Sequence, residues 1–211
     1  IVLVLNPKEV VFEGGRELEL DAVSEVPRYY VCNAYGVCGI YSAPGTAVKE
    51  AYDTSGIVTN DRGVTVWLKG NRVSRNQIMA IKEESVTEQK NSLAVCLDNI
   101  LRHAGITRNT EYDLAQGKTA TTILSENMTG VQVLDLSGCT LDAVLYYVNQ
   151  DIPVLAILED GEAVLVTGFN EFNVVIMEPA TGKLYKKGMN DATAWFAENG
   201  NHFITYMRIE N

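Results

Sequence analysis

Nucleophilic catalysis needs a thiol or hydroxyl, a base within hydrogen-bond reach of it, a group that orients the base and a donor for the developing oxyanion. The sequence holds two histidines, His103 and His202, and four cysteines, Cys32, Cys38, Cys96 and Cys139. Cys96 falls one turn inside a helix that starts at Asn91 or Ser92 and runs to His103, on the apolar side with Leu93, Val95, Ile100 and Leu101, where a thiol is inert because burial raises its pKa. Ser92, at the head of that helix, is a hydroxyl nucleophile candidate beside Cys96. His103 lies about 16 Å from Ser92 along the helix axis and cannot be its base. His202, at the start of the last strand, is the alternative base. Glu162 and Glu178 could take that role only if desolvation brought their pKa values near neutrality.

The other chemistries that these residue types allow are not supported by their spacing. The cysteines show no paired Cys-x2-Cys pattern and no two histidines sit at i, i+4, so no metal site and no cofactor are expected. Gly14-Gly15 and Gly36 to Gly39 are not followed by a helix that would present its amides to a phosphate, and both are turn glycines. Cys32 and Cys38 lie on two strand-like runs either side of Asn33-Ala34-Tyr35-Gly36. A hairpin would set them opposite each other, either as a disulfide or as two free thiols. Cys96 and Cys139 are a second pair that could bridge, with two buried thiols as the alternative. A bridge between Cys32 and Cys38 would imply an oxidising compartment.

A hydrophobic content of 46% over 211 residues is enough for one substantial core or two small ones. No stretch approaches the ~20 apolar residues of a membrane span, so no membrane insertion is expected. A net charge of −10 disfavours nucleic acid and anionic membranes as partners, since both select basic surfaces. Ile1 is not an initiator Met and no signal peptide precedes it, so the chain is read as a fragment of a longer protein.

The elements that would position these residues fall into four stretches. Residues 1–27 hold short apolar runs with no identifiable strand partners. Residues 28–70 spell a ββαββ module: the cysteine hairpin, a helix from Pro44 with Ala47, Val48, Ala51 and Tyr52 on one face, and two strands joined by Asn60-Asp61-Arg62-Gly63. Its aromatics Tyr29, Tyr30, Tyr41 and Trp67 read as sheet packing rather than a ligand cage. Residues 71–90 are polar and form a linker or short helix. Residues 91–211 begin with the Ser92 helix and two short helices near Tyr112 and Thr121. A strand at Val131 to Leu136 leads to a helix capped by Thr140, which must stop before Pro153. Strands follow at Pro153 to Leu158, Glu162 to Phe169, Asn173 to Glu178 and Lys183 to Lys187, then a helix capped by Asn190 and a last strand from His202.

From Ser92 onward the order of parts resembles the papain-like fold in its compact bacterial form, the bacteriocin-leader-processing (double-glycine leader) cysteine peptidases. There a helix begins at the Cys nucleophile, a later helix leads into a Gly-x-Pro-Val strand, a Gly-His-x-Val-x-Val-x-Gly strand carries the base and an Asp-Pro turn orients it. Here Gln150-Asp151-Ile152-Pro153-Val154, Gly161 to Phe169 and Met177-Glu178-Pro179 follow that layout. The match covers roughly 120 residues. Residues 28–69, with Tyr29-Tyr30-Val31 and Val66-Trp67, also resemble the companion module that precedes such domains in secreted proteins of Gram-positive gut bacteria. The resemblance implies an α+β fold, helices packed on an antiparallel sheet behind a small ββαββ module.

It also places the family's chemistry, residue by residue, on positions that cannot perform it. The nucleophile position falls on Ser92, the histidine on Ala163 and the aspartate on Glu178. The oxyanion-donor glutamine falls on Val86, with Gln89 three residues too late. An alanine cannot take a proton. The expectation is therefore a peptidase-like domain without catalysis, in a secreted or cell-surface bacterial protein, that binds a peptide or a cell-envelope component or serves as structure. A rearranged cysteine peptidase or acyl transferase is the alternative, and a peptide-binding module that keeps a substrate groove is a third.

Overall fold

The computed structural model of the protein describes residues 26–36, 38–70 and 91–209. The strands expected within residues 1–20 and the linker or helix expected over 71–90 lie outside the described residues.

The first described unit is the ββαββ arrangement read from the sequence. Strands β1 (Tyr29–Cys32) and β2 (Cys38–Tyr41) form the hairpin, helix α1 (Pro44–Thr54) follows, and β3 (Ile57–Asn60) and β4 (Thr65–Leu68) complete an antiparallel sheet in the order β2-β1-β3-β4. Pro44 starts α1 with its φ already set for a helix, and Ser55 ends it in the left-handed region. Cys32 and Cys38 pair directly across the hairpin with Cα atoms 4.5 Å apart, and they are joined as a disulfide. Cys96 and Cys139 are not joined. Both are buried free thiols, so the second bridge considered from the sequence does not form.

Helices α2 (Ser92–His103), α3 (Glu111–Ala115) and α4 (Ala120–Asn127) come next. Asn91 caps α2, its Oδ1 accepting the N–H groups of Leu93 and Ala94, while Arg102 and His103 sit in the last turn where the helix dipole favours cations. Strand β5 (Val131–Asp135) leads to α5 (Leu141–Val148), capped by Thr140 Oγ1. Then follow β6 (Val154–Ile157), β7 (Ala163–Phe169), β8 (Asn173–Glu178), β9 (Lys183–Gly188), α6 (Met189–Glu198) and β10 (His202–Arg208). The helix α6 begins one residue before Asn190, and its N-cap is Gly188 with no side-chain capping bond, because the chain enters the helix straight from β9. The strands form one antiparallel sheet in the order β5-β10-β6-β7-β8-β9. All seven residues of the inner strand β7 are buried, and both α2 and α5 pack against it. No helix among the described residues is long and apolar enough to cross a membrane.

The two sheets share one continuous core, and α5 lies where they meet. Six of its eight residues are buried, as befits a helix enclosed on several sides instead of lying along a surface. Trp67 Nε1–H donates to the carbonyl of Ala143 at 3.0 Å and Tyr147 O–H donates to the carbonyl of Val66 at 3.1 Å, both fully within the core. Around them Tyr52 O–H reaches Asp142 Oδ2 at 3.0 Å, and Gln132 joins Asn60 and Tyr29 through its amide, at 3.1 and 2.9 Å. Gly45 makes the close approach work: a Cβ there would stand 3.0 Å from the carbonyl oxygen of Ser137 and 3.1 Å from that of Asp135.

Replacing Tyr147 by Phe removes only the hydroxyl and leaves the Val66 carbonyl buried without its donor. The expected result is a loss of about 1–3 kcal/mol in urea unfolding, with tryptophan fluorescence from both units, Trp67 and Trp195, still moving in a single transition.

Candidate functional site

The two positions that the sequence pattern pairs, the head of α2 and the start of β7, do come together. Ala163 is the first residue of β7, and two neighbouring facts decide where its amide points. Leu158 N–H donates to Glu162 O at 2.8 Å, so the next residue along, Ala163, turns its own N–H away from β6 and toward β8. Continuing the β7–β8 register from Leu165 opposite Met177 sets Ala163 opposite Pro179, just past the end of β8 at Glu178. Among the described residues no strand is left there to accept the N–H. Ser92 Oγ fills the gap, accepting it at 3.0 Å, with Ser92 only 9% exposed and Ala163 only 1% exposed.

The other candidates are dispersed. Cys96 is fully buried one turn into α2, and its thiol pKa is pushed far up, first by burial and then by the nearby Glu162 carboxylate. Glu162 itself is exposed at the turn before β7. Glu178 is exposed at the end of β8, where it accepts a hydrogen bond from Thr181 Oγ1 at 2.7 Å. His202 is exposed at the start of β10 opposite Ile157, its ring laid against Gly200. His103 closes α2 at the far end, where its Nε2–H donates to the Asp151 carbonyl at 2.6 Å. Val86 and Gln89 lie outside the described residues. Cys139 is held in the core with its S–H donating to Gly45 O at 3.3 Å, and its pKa is pushed up to about 12, mainly by burial, with Asp135 adding to the rise and Lys49 opposing it. Among the described residues no group of three or more His, Cys, Asp or Glu side chains could hold a metal ion.

No protein-family model matches the chain, and no curated protein matches it. A structural match is found with the crystal structure of a protein from Bacillus anthracis taken to be a C39-like peptidase. The two superpose with a TM-score of 0.52 at 13% identity, over 67% of this chain and the whole of the other. The fold is thus the papain-like cysteine-peptidase fold, α+β, as the order of elements implied.

Sequence reasoning placed Ser92 and Ala163 opposite each other but missed what joins them. A helix-capping role for Ser92 would leave the fold almost untouched by Ser92→Ala, at a cost of about 1 kcal/mol. Asn91 is the cap, however, and Ser92 satisfies a buried amide. Ser92→Ala is expected to cost about 1–3 kcal/mol in chemical denaturation, the range for a buried donor left unpaired.

The thiols generate two further expectations. An aromatic disulfide reagent at about pH 8 should modify neither Cys96 nor Cys139 in the folded protein. The same reagent should find two thiols in denaturant and four once the Cys32–Cys38 bridge is also reduced. Because Cys139 ionises more readily unfolded than folded, its contribution to stability is complete below about pH 8.5. It is lost as pH rises toward its folded value of about 12, so the urea midpoint should fall over that interval.

Proposed function

We propose that the chain is a non-catalytic peptidase-like domain of a secreted or cell-surface bacterial protein, acting by binding or as structure. The observation that carries this is the hydrogen bond from the Ala163 amide to Ser92 Oγ. A serine hydroxyl attacks only when a base removes its proton as the bond forms. The residue whose amide meets Ser92 is an alanine, whose methyl side chain cannot take a proton, and one lone pair of the hydroxyl is already committed to the backbone. Cys96 supplies no substitute, since its thiol has no access to solvent and is held protonated. The exposed Cys32–Cys38 disulfide supports an oxidising compartment.

The test is covalent labelling of the purified protein with a fluorophosphonate and with an epoxide thiol probe. Neither should modify the folded chain. Labelling at Ser92 or Cys96 that disappears on heat denaturation would establish an active nucleophile and overturn the proposal. In the opposite direction, Ser92→Cys together with Ala163→His should create thiol-probe reactivity that neither single change produces.

A further inference from the structure

At the end of the six-stranded sheet remote from Ser92, a cleft of about 480 Å³ opens between β4 and the last residues of β10. Its floor is apolar, made by Val66, Tyr147, Ile152 and Met207, and its rim carries Thr65, Gln150 and Arg208. Both strands that flank it present backbone that no other described strand pairs. On β4, Asn60 N–H donates to Val64 O at 2.9 Å, so Val64 faces β3 and Thr65, paired with Thr59, turns its N–H and C=O outward. Among the described residues β4 is the last strand of its sheet, and none of them pairs with its outer edge at Thr65. On β10, Leu136 N–H donates to Phe203 O and Ile209 N–H to Gly130 O, so the odd-numbered residues face β5. Ile204, Tyr206 and Arg208 therefore face the other way, and β6 pairs with β10 only as far as Ile204. Among the described residues no strand lies beside Tyr206 and Arg208 on that side.

We infer that this cleft is a docking site for an extended peptide segment carrying acidic side chains, which adds as a strand against the open edge of β4. Unpaired strand edges select an extended backbone, because main-chain hydrogen bonds provide the contact and alternate side chains enter the pocket. An alternating sequence would send apolar residues onto Val66, Ile152 and Met207. The exposed guanidinium of Arg208 selects a carboxylate. On a chain of net charge −10, general electrostatics would repel such a peptide, so its attraction must be local to this rim. The inference gives the binding role proposed above a place on the molecule, and it rests on that role only in expecting no cleavage.

The experiment is an amide-resolved NMR titration of the whole chain with two capped pentapeptides, Glu-Val-Glu-Val-Glu and Lys-Val-Lys-Val-Lys. The acidic peptide should give saturable shifts at the amides of Thr65, Tyr206 and Arg208, slow hydrogen exchange at Thr65, and be recovered uncut. Arg208→Glu, an exposed change, should weaken it about ten-fold or more and favour the lysine peptide instead. The inference falls if there are no shifts up to about 1 mM peptide, if the shifts map to the Ser92 end, or if both peptides bind equally. It also falls if the Thr65 amide is already protected in the protein alone, or if its shift depends on protein concentration, since the edge would then be covered by this chain or by a second copy. Cleavage of a peptide bound in the cleft would count against the non-catalytic proposal and leave the docking site standing.

Discussion

The enclosure of α5 is the constraint on which the rest of the structure depends. A helix buried on most of its circumference has no solvent face on which to leave polar groups, so its neighbours must arrive with matching donors and acceptors. The ββαββ unit brings them. Trp67 donates to a backbone carbonyl of α5, and Tyr147 of α5 donates back to the carbonyl of Val66. Asp142 receives Tyr52 at the margin. Gly45, set against the carbonyls of Asp135 and Ser137, allows the close backbone approach beside these bonds. The six-stranded sheet on the other side of α5 is then packed on both the papain-like helices and this added unit.

Most elements were legible because their signals are local. The apolar, partly β-branched run of β7, the Thr140 cap before Leu141 and the proline that starts α1 are each contained within a few residues, where local propensity and turn chemistry act. The cysteine hairpin was legible for the same reason, although only the coordinates choose the disulfide over two thiols. What escaped was long-range. Nothing near Trp67 indicates that its indole reaches Ala143, and nothing near Gln132 indicates that it bridges Asn60 and Tyr29, because these partners are 72 to 103 residues apart in the chain. The start of α6 was misplaced by a local competition: Asn190 is a good capping residue, but the strand before it delivers Gly188 into the capping position first.

The candidate site was half legible. The family resemblance set Ser92 opposite Ala163, and the packing of α2 on β7 brings the helix head to the strand start. The physical meaning of the pair lay in the sheet register, which a sequence does not display. β8 stops one residue too early to accept the Ala163 amide, and a side-chain oxygen from α2 takes over that backbone bond. Serine at this position is thereby explained as a structural acceptor without any appeal to its nucleophilicity.

The separation between the partners of the central network has a kinetic side. The ββαββ unit leaves the ribosome with Val66 and Trp67 already made, while the residues that bond to them, Ala143 and Tyr147, follow 76 and 81 positions later. At about 5–20 residues per second, that is an interval of several seconds in which a nearly complete sheet carries an uncovered apolar face and an indole with no acceptor. A topology rich in such distant pairings folds slowly once the chain is whole. For this protein the vulnerable species is therefore the early one, the first unit waiting for α5, and a chaperone that shields that face would act before the papain-like part is complete.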